Sequence, residues 1–290
     1  MKKRVINIAV SFLLVVANSF AQGISAPTQE LVYPHSLNIF MEVESDSNDI
    51  TSLVKTHRQF RKLVLQLRKK QLTNPDEQSF LKSVFYHVQK KQLHSYDKYA
   101  VMEQTLNDKN FGCLTGTALY ALVLSAFNYE YDIVELPNHV FIQVKGKAGY
   151  YLFESTLPRD GFKKLKQNII ASSQHLLDND RKPMSQEVVG SWYGAKEIIE
   201  EPFNLIGLQE LAGLQQFNEA TRLFGLNHFE EAIERATEAY KLYPSKRNQE
   251  LMQLIVNKIL KHELLKPELR DVYLNQYVSL VKKKKLSQFK

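Results

Sequence analysis

Apolar residues along this chain follow distinct spacings in different stretches. Over "SDSNDITSLVKTHRQFRKLVLQLRKK", Leu53, Val54, Phe60, Leu63, Val64 and Leu67 recur at intervals of three and four. That period places them on one face of an α-helix, with basic residues mostly between them. Ser, Asp and Asn residues at its start supply N-cap candidates. A break, "LTNPDEQ", follows, where Pro75 with Asp76 and Glu77 behind it marks a second helix start. Phe80, Leu81, Val84, Phe85 and Val88 form the apolar face of that helix. "LNDKNFGC" reads as a turn, and "LTGTALYALVLSAF" as a third helix beginning at or next to Cys113.

The period then changes. "YEYDIVEL", "HVFIQVKG" and "GYYLFEST" are short, β-branched and aromatic, and Pro137-Asn138 and Gly146-Lys147-Ala148-Gly149 separate them. They predict strands, the last two paired as a hairpin. Val140, Ile142 and Val144 alternate with Phe141 and Gln143. From about Lys163 the strand signal fades and helices are expected to return, with breaks at "DNDRKPMSQ" and "EEPFN". Residues 22–44, with Pro27 and Pro34, read as an extended lead-in. The pattern predicts an α+β domain over 45–200 and an all-helical region over 205–290.

In that helical region, "NEATRLFGLNHFEEAIERATEAYKLYPS" resembles a tetratricopeptide repeat. Ala220, Asn227, Phe229, Ala232, Ala239 and Pro244 occupy its small, turn, aromatic, small, small and proline positions, while Gln216 and Glu219 replace its early Trp and Leu. Alanines let two antiparallel helices approach closely, and proline stops the second. Two further helices are expected around 247–262 and 267–281. A single repeat cannot bury its own face, so it must pack on the preceding domain or on those helices.

The N-terminus changes the picture of where the protein works. Met1-Lys2-Lys3-Arg4 is a basic start, "VINIAVSFLLVVA" an apolar run, and Ser19 and Ala21 flank Phe20 as a small-x-small cleavage site. These are the parts of a secretory signal peptide over 1–21. The run is short of the ~20 residues a membrane span needs, and no later stretch reads as a transmembrane segment. No cysteine lies at the cut, so no lipid anchor is expected. The expected location is periplasmic or secreted. The signal holds three of the 38 basic residues and no acidic ones, which leaves 35 against 31 acidic, a net charge of +4. That mild excess gives no reason to expect nucleic acid as a partner.

Cys113 is the only cysteine, so an intramolecular disulfide framework is excluded. Its position at a helix N-terminus favours a thiolate, through the helix dipole and the unpaired backbone N–H groups. Structural cysteines sit more naturally among the leucines further along such a helix. A nucleophilic thiolate needs a base, and the base an orienting partner. His139 opens one predicted strand and Glu154 ends the next, so a hairpin turning near Gly146 brings them side by side. His87 and His94 are too far apart for one helix turn and lack carboxylate company, so no metal site is expected, and the sequence has no Gly-rich phosphate loop and no G-x-S-x-G elbow.

Helix-borne Cys, then His at a strand start, then a carboxylate ending the next strand, as in "GCLTGTALYALVL…PNHVFIQV…YYLFEST", resembles the transglutaminase-like branch of the papain-like thiol enzymes. The resemblance covers about 110–160, and bacterial members carry an attached tetratricopeptide region. It implies Cys113 as nucleophile, His139 as general base and acid, and Glu154, where the family usually has Asp, as the orienting group. The oxyanion donors would be the Cys113 N–H and one of Gln104, Asn110 or Tyr99. The expected activity is acyl transfer through a Cys thioester, with hydrolysis of a peptide or isopeptide amide in a protein or peptide substrate, and no cofactor. The alternative is an inactive scaffold that binds a peptide or protein partner with its repeat helices. A third reading assigns envelope attachment to the basic tail, otherwise a frayed end.

Overall fold

The computed structural model describes residues 35–42, 50–74, 76–171, 203–262 and 267–287. The predicted signal segment 1–21, most of the lead-in, the stretch 172–202 and the last three residues lie outside these. The described residues fall within one compact unit.

Nine helices and seven strands are described. In chain order they are α1 (His35–Glu42), α2 (Ile50–Thr73), α3 (Glu77–Gln92), β1 (Ser95–Tyr96), α4 (Met102–Asn107), β2 (Asn110–Phe111) and α5 (Cys113–Ala126). Then come β3 (Glu130–Leu136), β4 (His139–Gly146), β5 (Gly149–Phe153), β6 (Phe162–Lys164) and β7 (Asn204–Ile206). Four helices close the chain: α6 (Leu208–Gly225), α7 (Phe229–Leu242), α8 (Lys246–His262) and α9 (Pro267–Ser287). The architecture is α+β. One antiparallel sheet runs in the order β6-β5-β4-β3-β7, and β1 and β2 make a separate two-residue parallel ladder. Among the described residues no helix is long and apolar enough to cross a membrane.

The sheet is covered on both faces. On one, Phe153 meets the rings of Tyr120 from α5 and Phe85 from α3, at 5.3 and 5.6 Å between centroids. On the other, Val134, Leu136 and Phe141 pack with Leu165, Ile169 and Ile170. Even Gln143 is buried there; its carboxamide accepts from the Ile169 N–H and donates to Asn168 Oδ1, both at 2.9 Å. Helix α5 is buried from Leu114 to Leu124, as an all-round apolar helix must be. Each large side chain buried there contributes about 1.5–3 kcal/mol, so α5 is held firmly, and with it the residue at its tip.

Several expectations need correction. The lead-in is helical over His35–Glu42, where Leu37, Phe40 and Met41 are buried. Leu53 and Val54 do not join the core face of α2; both are exposed. The joint at that end is made by hydroxyl and amide groups instead, with Ser52 donating to Glu103 and Asn107 to Thr56. A further strand, β6, lies where helices were expected to return, and Leu205 and Ile206 belong to edge strand β7, within the span assigned to the helical region. The tail is helical through Ser287 rather than frayed from 282.

In the helical region, Ala220, Ala232, Ala236 and Ala239 are fully buried in the α6–α7 and α8 interfaces. Asn227 turns the chain between α6 and α7 at φ 65°, the left-handed region that Asn tolerates. Asn248 Nδ2 donates to the carbonyls of Ala239 and Tyr243, satisfying the end of α7 before and after its stop.

Candidate functional site

Three elements converge at Cys113. The β1–β2 ladder delivers Phe111, Gly112 caps the helix, and Cys113 is its first residue. Gly112 is dictated by packing: a Cβ there would lie 2.9 Å from the Asp97 carbonyl oxygen and 3.0 Å from that of Lys98. Its N–H donates to Thr115 Oγ1 at 3.1 Å, and Thr105 Oγ1 donates to the same hydroxyl. At the first helical position the Cys113 N–H has no acceptor within the helix. The thiol itself is partly exposed.

His139 is the first residue of β4, directly after the Pro137–Asn138 turn, and pairs with Leu136. Glu154 lies just past β5 in the loop to β6, and its carboxylate is almost wholly buried. Its Oε2 stands 2.6 Å from His139 Nε2. Its Oε1 accepts from the Thr156 N–H at 2.9 Å and the Thr156 hydroxyl at 2.7 Å. The carboxylate therefore has three donors and a fixed direction. With Nε2 committed to Glu154, Nδ1 is the nitrogen left for the Cys113 side chain, which lies near enough to the ring to raise its pKa. Burial of the ring works against its positive form. The hydrogen bonds to Cys113 and Glu154, with their negative charges, outweigh that and push the His139 pKa up to about 10. The arrangement favours a proton on the ring beside the Cys113 side chain.

Supporting residues carry no sequence signal of their own, and were not anticipated. Gln89 of α3 donates to the Ser155 carbonyl at 2.7 Å, pinning the segment after Glu154. Gly116, on the first turn of α5, admits Ser155: a Cβ would come within 2.7 Å of the serine's Cβ. Thr156 could have been noticed only as the hydroxyl two residues after the carboxylate. From the helical region, Arg247 donates to the Pro137 carbonyl at 2.5 Å, at the turn that precedes His139.

The three side-chain candidates for a second oxyanion donor fall in different places. Gln104 uses its carbonyl oxygen to cap α4, accepting from the Val101 N–H at 3.2 Å. Tyr99 lies in the loop against Gly112, with its ring under the Lys98 ammonium, 5.5 Å away, and within electrostatic reach of Arg222 on α6. Asn110 is half-buried on β2, three residues before the thiol. Among the described residues no group of three or more His, Cys, Asp or Glu is gathered as a metal centre would need.

No protein-family model matches the chain, and no curated protein and no solved structure matches it either.

Proposed function

We propose that the protein is a thiol-dependent acyl-transfer enzyme of the transglutaminase-like kind, exported to the periplasm or beyond. The observation that carries this reading is the His139 ring, held between Glu154 at 2.6 Å and the Cys113 side chain. The Cys113 thiolate attacks an amide carbonyl carbon, and the oxyanion that forms is met by the Cys113 N–H. His139 gives its proton to the departing amine, the C–N bond breaks and a thioester remains. Water then attacks the thioester, His139 takes up its proton, and the acid and the thiolate are released. A second amine in place of water would give a new amide. Glu154 keeps the ring oriented and stabilises its positive form throughout, without itself taking a proton. Peptide or isopeptide amides are the proposed substrates.

Reaction with p-nitrophenyl acetate tests the chemistry without knowing the substrate. A stoichiometric burst of p-nitrophenol with an acetyl group on Cys113 is expected, absent in Cys113→Ala and strongly slowed in His139→Ala. No burst, or acetylation spread over lysines, contradicts the proposal.

A second reading, an inactive scaffold that binds a peptide or protein with helices α6–α9, draws on Glu154, which stands where the resembled family usually has Asp. It expects no burst and an unreactive thiol.

A further inference from the structure

Away from Cys113, helices α2 and α3 and the α4–β2 loop enclose a cavity of about 230 Å³. Lys62 from α2, Lys91 from α3 and Lys109 from the loop line it. Among the described residues, no carboxylate lines it. Helix α2 supplies none nearby, since Ile50–Thr73 contains no Asp or Glu at all. Three lysines therefore line one hollow, and an anion seated among them is attracted by all three.

Two further features suit a bound oxyanion. Gln66, on the wall, has its carbonyl oxygen engaged by His87 Nε2 at 2.9 Å, which leaves its NH₂ as a donor. Lys109 holds a left-handed backbone, φ 67°, a conformation uncommon in a non-glycine residue. Its carbonyl is fixed there by the N–H groups of His94 and Ser95, at 3.0 and 3.2 Å. His87, behind the Gln66 wall, feels the basic surface around the cavity, of which Lys91 is a lining residue. Its pKa is lowered first by burial and then by Lys70, Lys91 and Lys90.

We propose that this cavity binds a compact, multiply charged oxyanion, with a phosphate group held among Lys62, Lys91 and Lys109. Leu63 and Leu106, both buried, form its apolar side, so the ligand is small and its charge meets the rim. Lysine is suited to the task as a point charge with three donors and no fixed plane. The inference is independent of any chemistry at Cys113.

The phosphate could belong to a free small molecule or to a lipid headgroup, and one experiment separates them. Inorganic pyrophosphate is titrated calorimetrically into the full chain and into a Lys62→Met, Lys91→Met, Lys109→Met variant. The control is Lys55→Met, Arg58→Met, Lys69→Met, which removes the same charge from exposed positions of α2 outside the cavity. Circular dichroism checks that each is folded. Co-sedimentation with phosphatidylglycerol vesicles runs in parallel. The expected result is single-site pyrophosphate binding, at least tenfold weaker in the cavity variant and nearly unchanged in the control. Vesicle binding lost only in the cavity variant would identify the headgroup as the phosphate's source. Equal weakening in both variants would mean a diffuse basic face, and absence of binding to either probe would mean no site. Each of these two outcomes overturns the proposal.

Discussion

Glu154 reaches His139 across an offset in the hairpin. Phe153 pairs with Ile142, so Glu154 follows opposite Phe141, and His139 lies two residues further along β4. The longer glutamate side chain fits that diagonal, and aspartate would fall one methylene short. The two residues were legible in the sequence because a strand start and a strand end are readable features. Their register was not, since the sequence placed them level. Replacing Glu154 by Gln removes a charge that holds the imidazolium, so the His139 pKa is expected to fall from about 10 towards its unperturbed ~6.5. The sign for stability follows: a raised folded-state pKa contributes stability that is full below about pH 6.5 and is lost as pH rises through about 10. In Glu154→Gln that loss comes at lower pH. NMR titration of the ring and urea midpoints across this range check both, and an unmoved titration would contradict the pairing. Gly116→Ala tests the support behind it. Alanine favours a helix by about 1 kcal/mol, but overpacking against Ser155 costs about 1–3 kcal/mol. The crowding is 2.7 Å from Cβ to Cβ, so a net loss is expected in denaturant unfolding; a gain would mean the segment is loose.

Elements with a full period could be read before the fold was known: α2, α3, α5, the β3–β5 meander and the α6–α7 pair. Those that were missed have two to eight residues. Strands β1, β2 and β7 and helix α4 are too short to display a period, and they exist because neighbouring elements complete their bonding. The junction at Glu135 shows how. This buried carboxylate on β3 accepts from Asn204 of β7 at 3.0 Å and from the Tyr243 hydroxyl, just past α7, at 2.7 Å. Arg247 of α8 stands 3.3 Å from its other oxygen and also reaches the Pro137 carbonyl. No hydrophobic pattern announces a contact of this kind. Tyr243→Phe is expected to cost about 1.5 kcal/mol, the range for a hydrogen bond to a charged group, measured as a shift in urea midpoint. Arg247→Ala is expected to slow alkylation of Cys113 by about threefold to tenfold, equivalent to ~1 kcal/mol, by freeing the turn before His139. Partial rescue in Arg247→Lys would distinguish positioning from general loss of structure. An unchanged rate in Arg247→Ala would remove the helical region from any part in shaping the site.

The described residues, from 35 to 287, behave on this account as one folding unit. The helical region does not close its own surface: α6 packs on α5, the helix that carries Cys113, and on α1. Gly213 of α6 lets Tyr243 approach to 2.8 Å of where a Cβ would be, and Tyr243 in turn bonds to the sheet. The sequence suggested that a lone repeat needs a partner but did not choose between the preceding domain and the following helices. Both serve: α8 and α9 complete one face and the α+β part meets another. Calorimetric unfolding of the full chain is therefore expected to show a single transition whose van't Hoff and calorimetric enthalpies agree. Two separated transitions would mean independent domains.

The central claim is that Cys113 and His139 form a thiolate–imidazolium pair. The most direct measurement is the rate of iodoacetamide alkylation of Cys113 as a function of pH, in the unaltered protein and in His139→Ala. The account predicts a rate that stays high down to about pH 6, well below the ~8.5 of a free thiol, and collapses in His139→Ala. A rate that rises only near that free-thiol value in both proteins, or no labelling without denaturant, would contradict it.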